Sequence, residues 1–215
     1  SALKGVEIDI LKNPKIDLHL VGLHATFRWK SRLIPGISYQ DLMSIGPHGF
    51  INVVHNVKNV FETNKNNPKW DKDTLPGIQE TQDWMIEEEF TTELLAEVLN
   101  VPMYLIARDH KVSNLSDIFS TDKKKVYLSY PITAVKESNP ELLEQIQGPI
   151  LEELEKLFVV FNPLGIKDMP LTYESEIKKM PDLVGQLTEQ VKNTIKQRTV
   201  ERDYQFIDQS DAVVV

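Results

Sequence analysis

An α/β fold of two parallel-sheet units, each built from βαβ crossovers, is predicted by three observations. Short runs rich in Val, Ile, Leu and Phe alternate along the chain with longer segments of helical periodicity. Two of these runs stop abruptly at a proline, Pro131 and Pro163, which cannot donate to a sheet ladder. Between the two groups of runs, residues 111–125 are rich in Ser, Asn, Asp and Lys, which places a boundary near residue 120. The expected domains are therefore residues 1–120 and 121–215.

In the first unit, residues 16–27 carry β-branched and aromatic residues in imperfect alternation and read as a strand. The basic segment 27–33 follows, with Arg28, Lys30 and Arg32 at alternate positions. In an extended chain these three share one face, either as a phosphate clamp or as a solvated basic edge. Residues 47–55 form a second strand, after which Asn56 caps a helix running towards Thr63. The polar stretch 63–77 reads as a loop or lid. Over residues 78–100, Trp84, Phe90, Leu94, Leu95 and Val98 supply the apolar stripe of a long amphipathic helix, and Glu87, Glu88 and Glu89 its solvated face. Residues 102–108 are the third strand.

The second unit opens on residues 125–133, in which Val126 and Leu128 suit a buried strand. Its carboxyl end opens a crevice lined by Ser129, Tyr130 and Thr133, the place where open α/β sheets bind ligands. Asn139 and Pro140 start a helix that runs to about Lys156, interrupted at Gly148 and Pro149. Residues 158–163 are the next strand, and 164–181 are expected to cover a site or stay mobile. From Asp182 a helix places Leu183, Leu187, Val191 and Ile195 on one face, continuing through Val200, Tyr204 and Ile207. Asp211 opens a third strand. The chain starts Ser-Ala and finishes within that apolar strand, so the second unit is expected to continue past Val215.

Composition narrows the chemistry. The 215 residues, 41% of them hydrophobic, suffice for a sizeable core. A formal net charge of -8 argues against a general nucleic-acid binder, although local basic clusters can hold a small phosphate. The absence of cysteine excludes disulfides, thiolate metal sites and cysteine nucleophiles, and a cytoplasmic location is the expectation. No secretory signal and no bilayer-spanning run is read, so no membrane partner is expected. His19, His24, His48, His55 and His110 show no compact ligand spacing; no metal and no cofactor is expected.

Two resemblances sharpen these readings. Over residues 16–110, the order of a strand ending His24-Ala-Thr-Phe-Arg-Trp, the strand Phe50-Ile-Asn-Val-Val, a lid-like segment and the strand Met103-Tyr-Leu-Ile-Ala-Arg resembles the later part of a P-loop nucleoside-monophosphate kinase. Nothing in the chain matches G-x-x-x-x-G-K-[ST], the loop whose amides cradle ATP phosphates. Over residues 125–215, the strand Val126-Tyr-Leu-Ser-Tyr-Pro-Ile132, the strand Val159-Val-Phe-Asn-Pro163 and the pair Asp203 and Asp211, eight residues apart, resemble the nucleoside 2-deoxyribosyltransferase family. That resemblance implies a flavodoxin- or Rossmann-like sheet and chemistry at an N-glycosidic bond.

Carried over by position, the second resemblance makes Tyr127 the residue that orients a catalytic carboxylate and Asp203 the group that handles the base proton. Ser129 and Pro131 fall at the turn beside the sugar. Tyr130, where the family often has glycine, together with Asn162 and Asp211 completes the expected substrate-binding set. A carboxylate near the base can protonate a leaving nitrogen while a second one captures the oxocarbenium-like sugar. The family's second carboxylate is a glutamate after the third strand, beyond this sequence. Each residue also has a plainer role available: Tyr127 as a core tyrosine, Asp203 in a surface ion pair, Asp211 as a strand-start residue.

The functional expectation is a protein of nucleotide metabolism acting on a nucleoside or nucleotide by deoxyribosyl transfer or hydrolysis. The alternatives are a non-catalytic nucleotide-binding module, or a nucleotide kinase whose phosphate loop lies outside the chain. Exposed sheet edges allow a homodimer.

Overall fold

The computed structural model describes residues 5, 12, 13, 15–29, 32–70, 74–119 and 122–215. It is mixed α/β, with two small parallel sheets, an antiparallel hairpin and helices packed about them.

The chain's first sheet element departs from the strand expected over residues 16–27. β1 (Thr26–Trp29) pairs antiparallel with β2 (Arg32–Pro35), Thr26 opposite Pro35 and Trp29 opposite Arg32. Residues 16–25 lie outside any sheet, and Leu18, Leu20, Val21 and Leu23 are exposed. A strand needs a partner for its backbone polar groups, and the hairpin supplies one nearby, where loop closure costs least. Gly36 completes the return: its N–H donates to the Ala25 carbonyl at 2.9 Å, and a Cβ there would lie 2.1 Å from the His24 carbonyl oxygen.

After α1 (Tyr39–Ile45), β3 (Phe50–Val54) pairs in parallel with β4 (Met103–Ala107). The crossover contains α2 (Val57–Lys65) and α3 (Ile78–Leu99), as the sequence predicts. Asn56 caps α2, its side chain accepting from the Asn59 N–H at 2.9 Å. The expected linker holds a short helix, α4 (Asn114–Asp117), with Asn114 and Ile118 buried.

The second sheet has the order β6-β5-β7, all parallel, with β5 (Lys125–Leu128) between β6 (Val159–Phe161) and β7 (Ala212–Val214). From β5 the chain enters α5 (Ile132–Ser138) and α6 (Pro140–Gln145). A π-turn at Ile146–Ile150, where Gly148 leaves helical geometry and Pro149 removes a donor, leads into α7 (Leu151–Leu157). Residues 163–177 form two 3-10 turns (Pro163–Gly165 and Met169–Thr172) and α8 (Glu174–Ile177), anchored by the buried Ile166, Leu171 and Ile177. α9 (Glu189–Asp208), capped by Thr188, then crosses to β7.

The inward face of α9 bears Val191, Ile195, Arg202 and Phe206, while Val200, Tyr204 and Ile207 are exposed. Val200 follows Ile195 by five residues, about 140° round a helix, so the expected continuation of the stripe leaves the buried face. α3 departs from expectation in the same way. Phe90, Leu94 and Val98 are exposed, whereas Thr81, Gln82, Glu89 and Thr92 are buried. Glu89 draws that face inward, because Arg198 and Gln205 of α9 both donate to it. Glu87 and Glu88 are likewise engaged, receiving hydrogen bonds from Arg28 and Thr26 of β1.

The cut expected near residue 120 runs through two shared cores. One cluster joins Val54, Leu105 and Ile106 to Tyr127, Val159, Phe161 and Phe206. The other joins Val57, Phe61 and Ile78 to Leu171, Leu187 and Ile195. Neither half closes its own apolar surface, because α9 and the 163–177 segment lie against elements of the first half.

Candidate functional site

Parallel pairing brings the carboxyl ends of β5, β6 and β7 to one edge of the second sheet. Alternation along β5 then sorts its side chains. Val126 and Leu128 pack with Ile146 and Leu151, whereas Tyr127 faces the opposite side and packs with Phe206 of α9.

On that side the Tyr127 hydroxyl neighbours the Asp203 carboxyl of α9, close enough for each to shift the other's titration. Burial, with the Asp203 charge adding to it, pushes the Tyr127 hydroxyl up to about 12. Burial also raises the Asp203 carboxyl above its ordinary value, against the lowering effects of Arg202 and of the Tyr127 hydroxyl. A partly desolvated carboxyl with a raised pKa is suited to donating a proton.

At the carboxyl edge of the sheet a hydrogen-bonded chain links the turn after β5 to the end of β6. The Gln147 amide donates to the Tyr130 hydroxyl, and Asn162 Nδ2 donates to Gln147 Oε1 at 3.0 Å. Asn162 Oδ1 accepts from the Leu164 N–H at 3.1 Å, which starts the 3-10 turn after β6. His110 extends the chain to β4, with Nε2 at 3.0 Å from the Asn162 carbonyl oxygen and Nδ1 at 3.3 Å from the Ala107 nitrogen. Nε2 also lies 3.2 Å from the Asn162 nitrogen, so the ring meets both the N–H and the carbonyl of that residue. Burial lowers the His110 pKa, which keeps the ring neutral. Burial also pushes the Tyr130 hydroxyl up to about 12.

Ser129 and Pro131 stand at this same edge. The Ser129 N–H donates to the Val214 carbonyl at 2.8 Å, and Pro131 is exposed at the start of α5. Asp211 is not brought there. It precedes β7 and lies at the opposite, amino edge, where Oδ2 accepts from the Lys125 N–H at 2.7 Å and the Asp211 N–H donates to the Lys125 carbonyl at 2.7 Å. That hydrogen bond and the neighbouring lysines hold the Asp211 carboxyl below its ordinary value. Asp211 is thus a strand-start clamp, separated by the length of the sheet from the residues with which it was grouped.

The basic trio is also dispersed. The chain reverses between Trp29 and Arg32, so Arg28 and Arg32 do not share one extended face, and Arg28 is engaged by Glu87. Lys30 lies outside the described residues.

Sequence reasoning missed the buried charges beside Asp203. Asp168 and Arg202, both about 5% exposed, pair at 3.0 Å, and Asp168 Oδ1 also accepts from the Val57 N–H at 2.8 Å, filling the amino end of α2. With Gln82, Glu89 and Arg198 they line a cavity of about 30 Å³, room for about one water. Nothing in the sequence marks Asp168 as buried. Gln147 did leave a signal, the Gly148-Pro149 interruption beside it. Among the described residues no cluster of His, Asp or Glu could hold a metal ion, and no helix is long and apolar enough to cross a membrane.

Compared with known proteins, the chain matches no family model, no curated protein and no solved structure.

Proposed function

We propose that the chain acts on the N-glycosidic bond of a deoxynucleoside or nucleotide, in a flavodoxin-like unit formed by β6-β5-β7. The observation that carries this reading is the Tyr127–Asp203 pair, in which burial raises the carboxyl above its ordinary value beside the middle strand of a parallel sheet. In the proposed step the C1′–N bond breaks, its electron pair leaves with the base, and Asp203 supplies the proton to that nitrogen. Tyr127 fixes the rotamer of the carboxyl. Water, or a second carboxylate followed by water or another base, then captures C1′.

A non-catalytic nucleotide-binding module is the second reading. It is favoured by Tyr130, whose ring is held by Gln147 at the turn beside the proposed sugar position. Chromatographic measurement of free base released from deoxynucleosides and their monophosphates separates the two. Release that Asp203→Asn lowers by at least about 100-fold supports the glycosidic reading. Binding of the same compounds without release supports the module.

A further inference from the structure

We propose that the cleft between α2 and residues 167–180 binds a phosphate-bearing small molecule of mononucleotide size, independently of the Tyr127–Asp203 pair. The cleft encloses about 350 Å³, within the range of about 300–1,000 Å³ that small-molecule sites occupy. It lies beyond the carboxyl end of β3, on the side of a parallel sheet where α/β proteins bind ligands.

Its chemistry is uneven in a useful way. Lys58, Lys167 and Lys179 line it against the single carboxylate of Glu176, a local formal charge of +2 on a chain whose net charge is -8. Pro170 and Met180 supply an apolar wall, with Leu171 buried behind them. A cationic rim beside an apolar wall matches an anionic group joined to a flat, weakly polar body.

The lysines are available. Lys167 makes no ion pair among the described residues. Lys58 reaches Glu62 at 3.7 Å and Lys179 reaches Glu176 at 2.7 Å, in solvent-exposed pairs of the kind that contribute little and exchange readily. The amino end of α2 is not the source of attraction, since Asp168 and the Asn56 side chain already accept from the Val57 and Asn59 N–H groups. Asn56 and Asn59 instead place polar side chains along the cleft.

Titration calorimetry of the full chain with AMP, dCMP, adenosine and inorganic phosphate tests the assignment. The expected result is that a monophosphate binds, adenosine binds at least about 10-fold more weakly, and the Lys58→Ala/Lys167→Ala double variant raises the monophosphate Kd about 10-fold or more. Both lysines are on the surface, and circular dichroism confirms that the variant is folded. In Tyr127→Phe/Asp203→Asn the Kd should be unchanged, which keeps this site separable from the glycosidic one. The assignment is overturned if neither monophosphate binds, if phosphate alone binds as tightly as AMP, if the lysine variant binds normally, or if only the Tyr127/Asp203 variant loses binding.

Discussion

Both polar atoms of the Gln209 carboxamide meet the backbone of Leu105: Nε2 donates to the carbonyl oxygen and Oε1 accepts from the N–H, each at 2.8 Å. The flanking Pro102 and Arg108 bond to β3, so Leu105 faces away from that partner and its peptide groups need another. A side chain between α9 and β7 takes the place of a neighbouring strand and joins the two sheets. Gln209→Leu should therefore cost about 2–4 kcal/mol, by leaving a buried donor and acceptor unsatisfied. A urea midpoint equal to that of the parent chain would contradict this.

Asp168 neutralises Arg202 and caps α2 at once. Asp168→Ala is expected to destabilise the protein by about 3–5 kcal/mol, because it strands a buried guanidinium. Asp168→Ala/Arg202→Met should recover part of that loss. Thermal unfolding of both variants checks the order, and a double variant no more stable than the single one would place the penalty in the cap alone.

For Asp203 the sign of the pH dependence is opposite to that of a salt-bridged acid. Its folded-state pKa lies above the unfolded value of 3.8, so the folded chain retains a proton that the unfolded chain releases. Its contribution to stability falls as pH rises from 3.8 through the raised value. Asp203→Asn should thus be at least as stable as the parent at pH 7 while losing any base release. Tyr127→Phe, by removing a hydroxyl that favours the charged form, should raise the Asp203 titration further, as followed by carboxyl carbon NMR.

His24 latches the hairpin region to α3. Its Nδ1 lies 3.1 Å from Glu88 Oε1, which also accepts from the Thr26 N–H, and Trp84 Nε1 donates to the Thr26 carbonyl at 3.1 Å. The Glu88 hydrogen bond raises the His24 pKa above 6.5. The stabilising contribution is therefore full below pH 6.5 and is lost as pH rises through the raised value. Exchange of the Thr26 amide should quicken over that interval, and Glu88→Gln should flatten the dependence. An exchange profile that Glu88→Gln leaves unaltered would remove His24 from this role.

Strand positions after residue 47 were legible because each is a short apolar run beside a turn residue, a pattern local to the chain. That β5, β6 and β7 run parallel followed from their helical crossovers; that β5 lies in the middle did not. Burial within the helices was less legible. The pattern of α3 places Phe90 inward, but the long-range pairing of Glu89 with Arg198 rotates that face outward, and no spacing within α3 reports a partner 109 residues away. Tyr127 and Asp203 are neighbours, a pairing that the family resemblance implied and that no spacing within the sequence reports. Asp211 does not join them, because eight residues along α9 and its exit carry the chain to the other end of the sheet.

The two shared cores have a consequence for synthesis on the ribosome. Val57, Phe61 and Ile78 emerge long before Val191 and Ile195, the residues that exclude water from them. Until α9 leaves the exit tunnel, the nascent first half carries an uncovered apolar face, so completion of folding is delayed to the last part of translation and engagement by a chaperone is favoured in the interval.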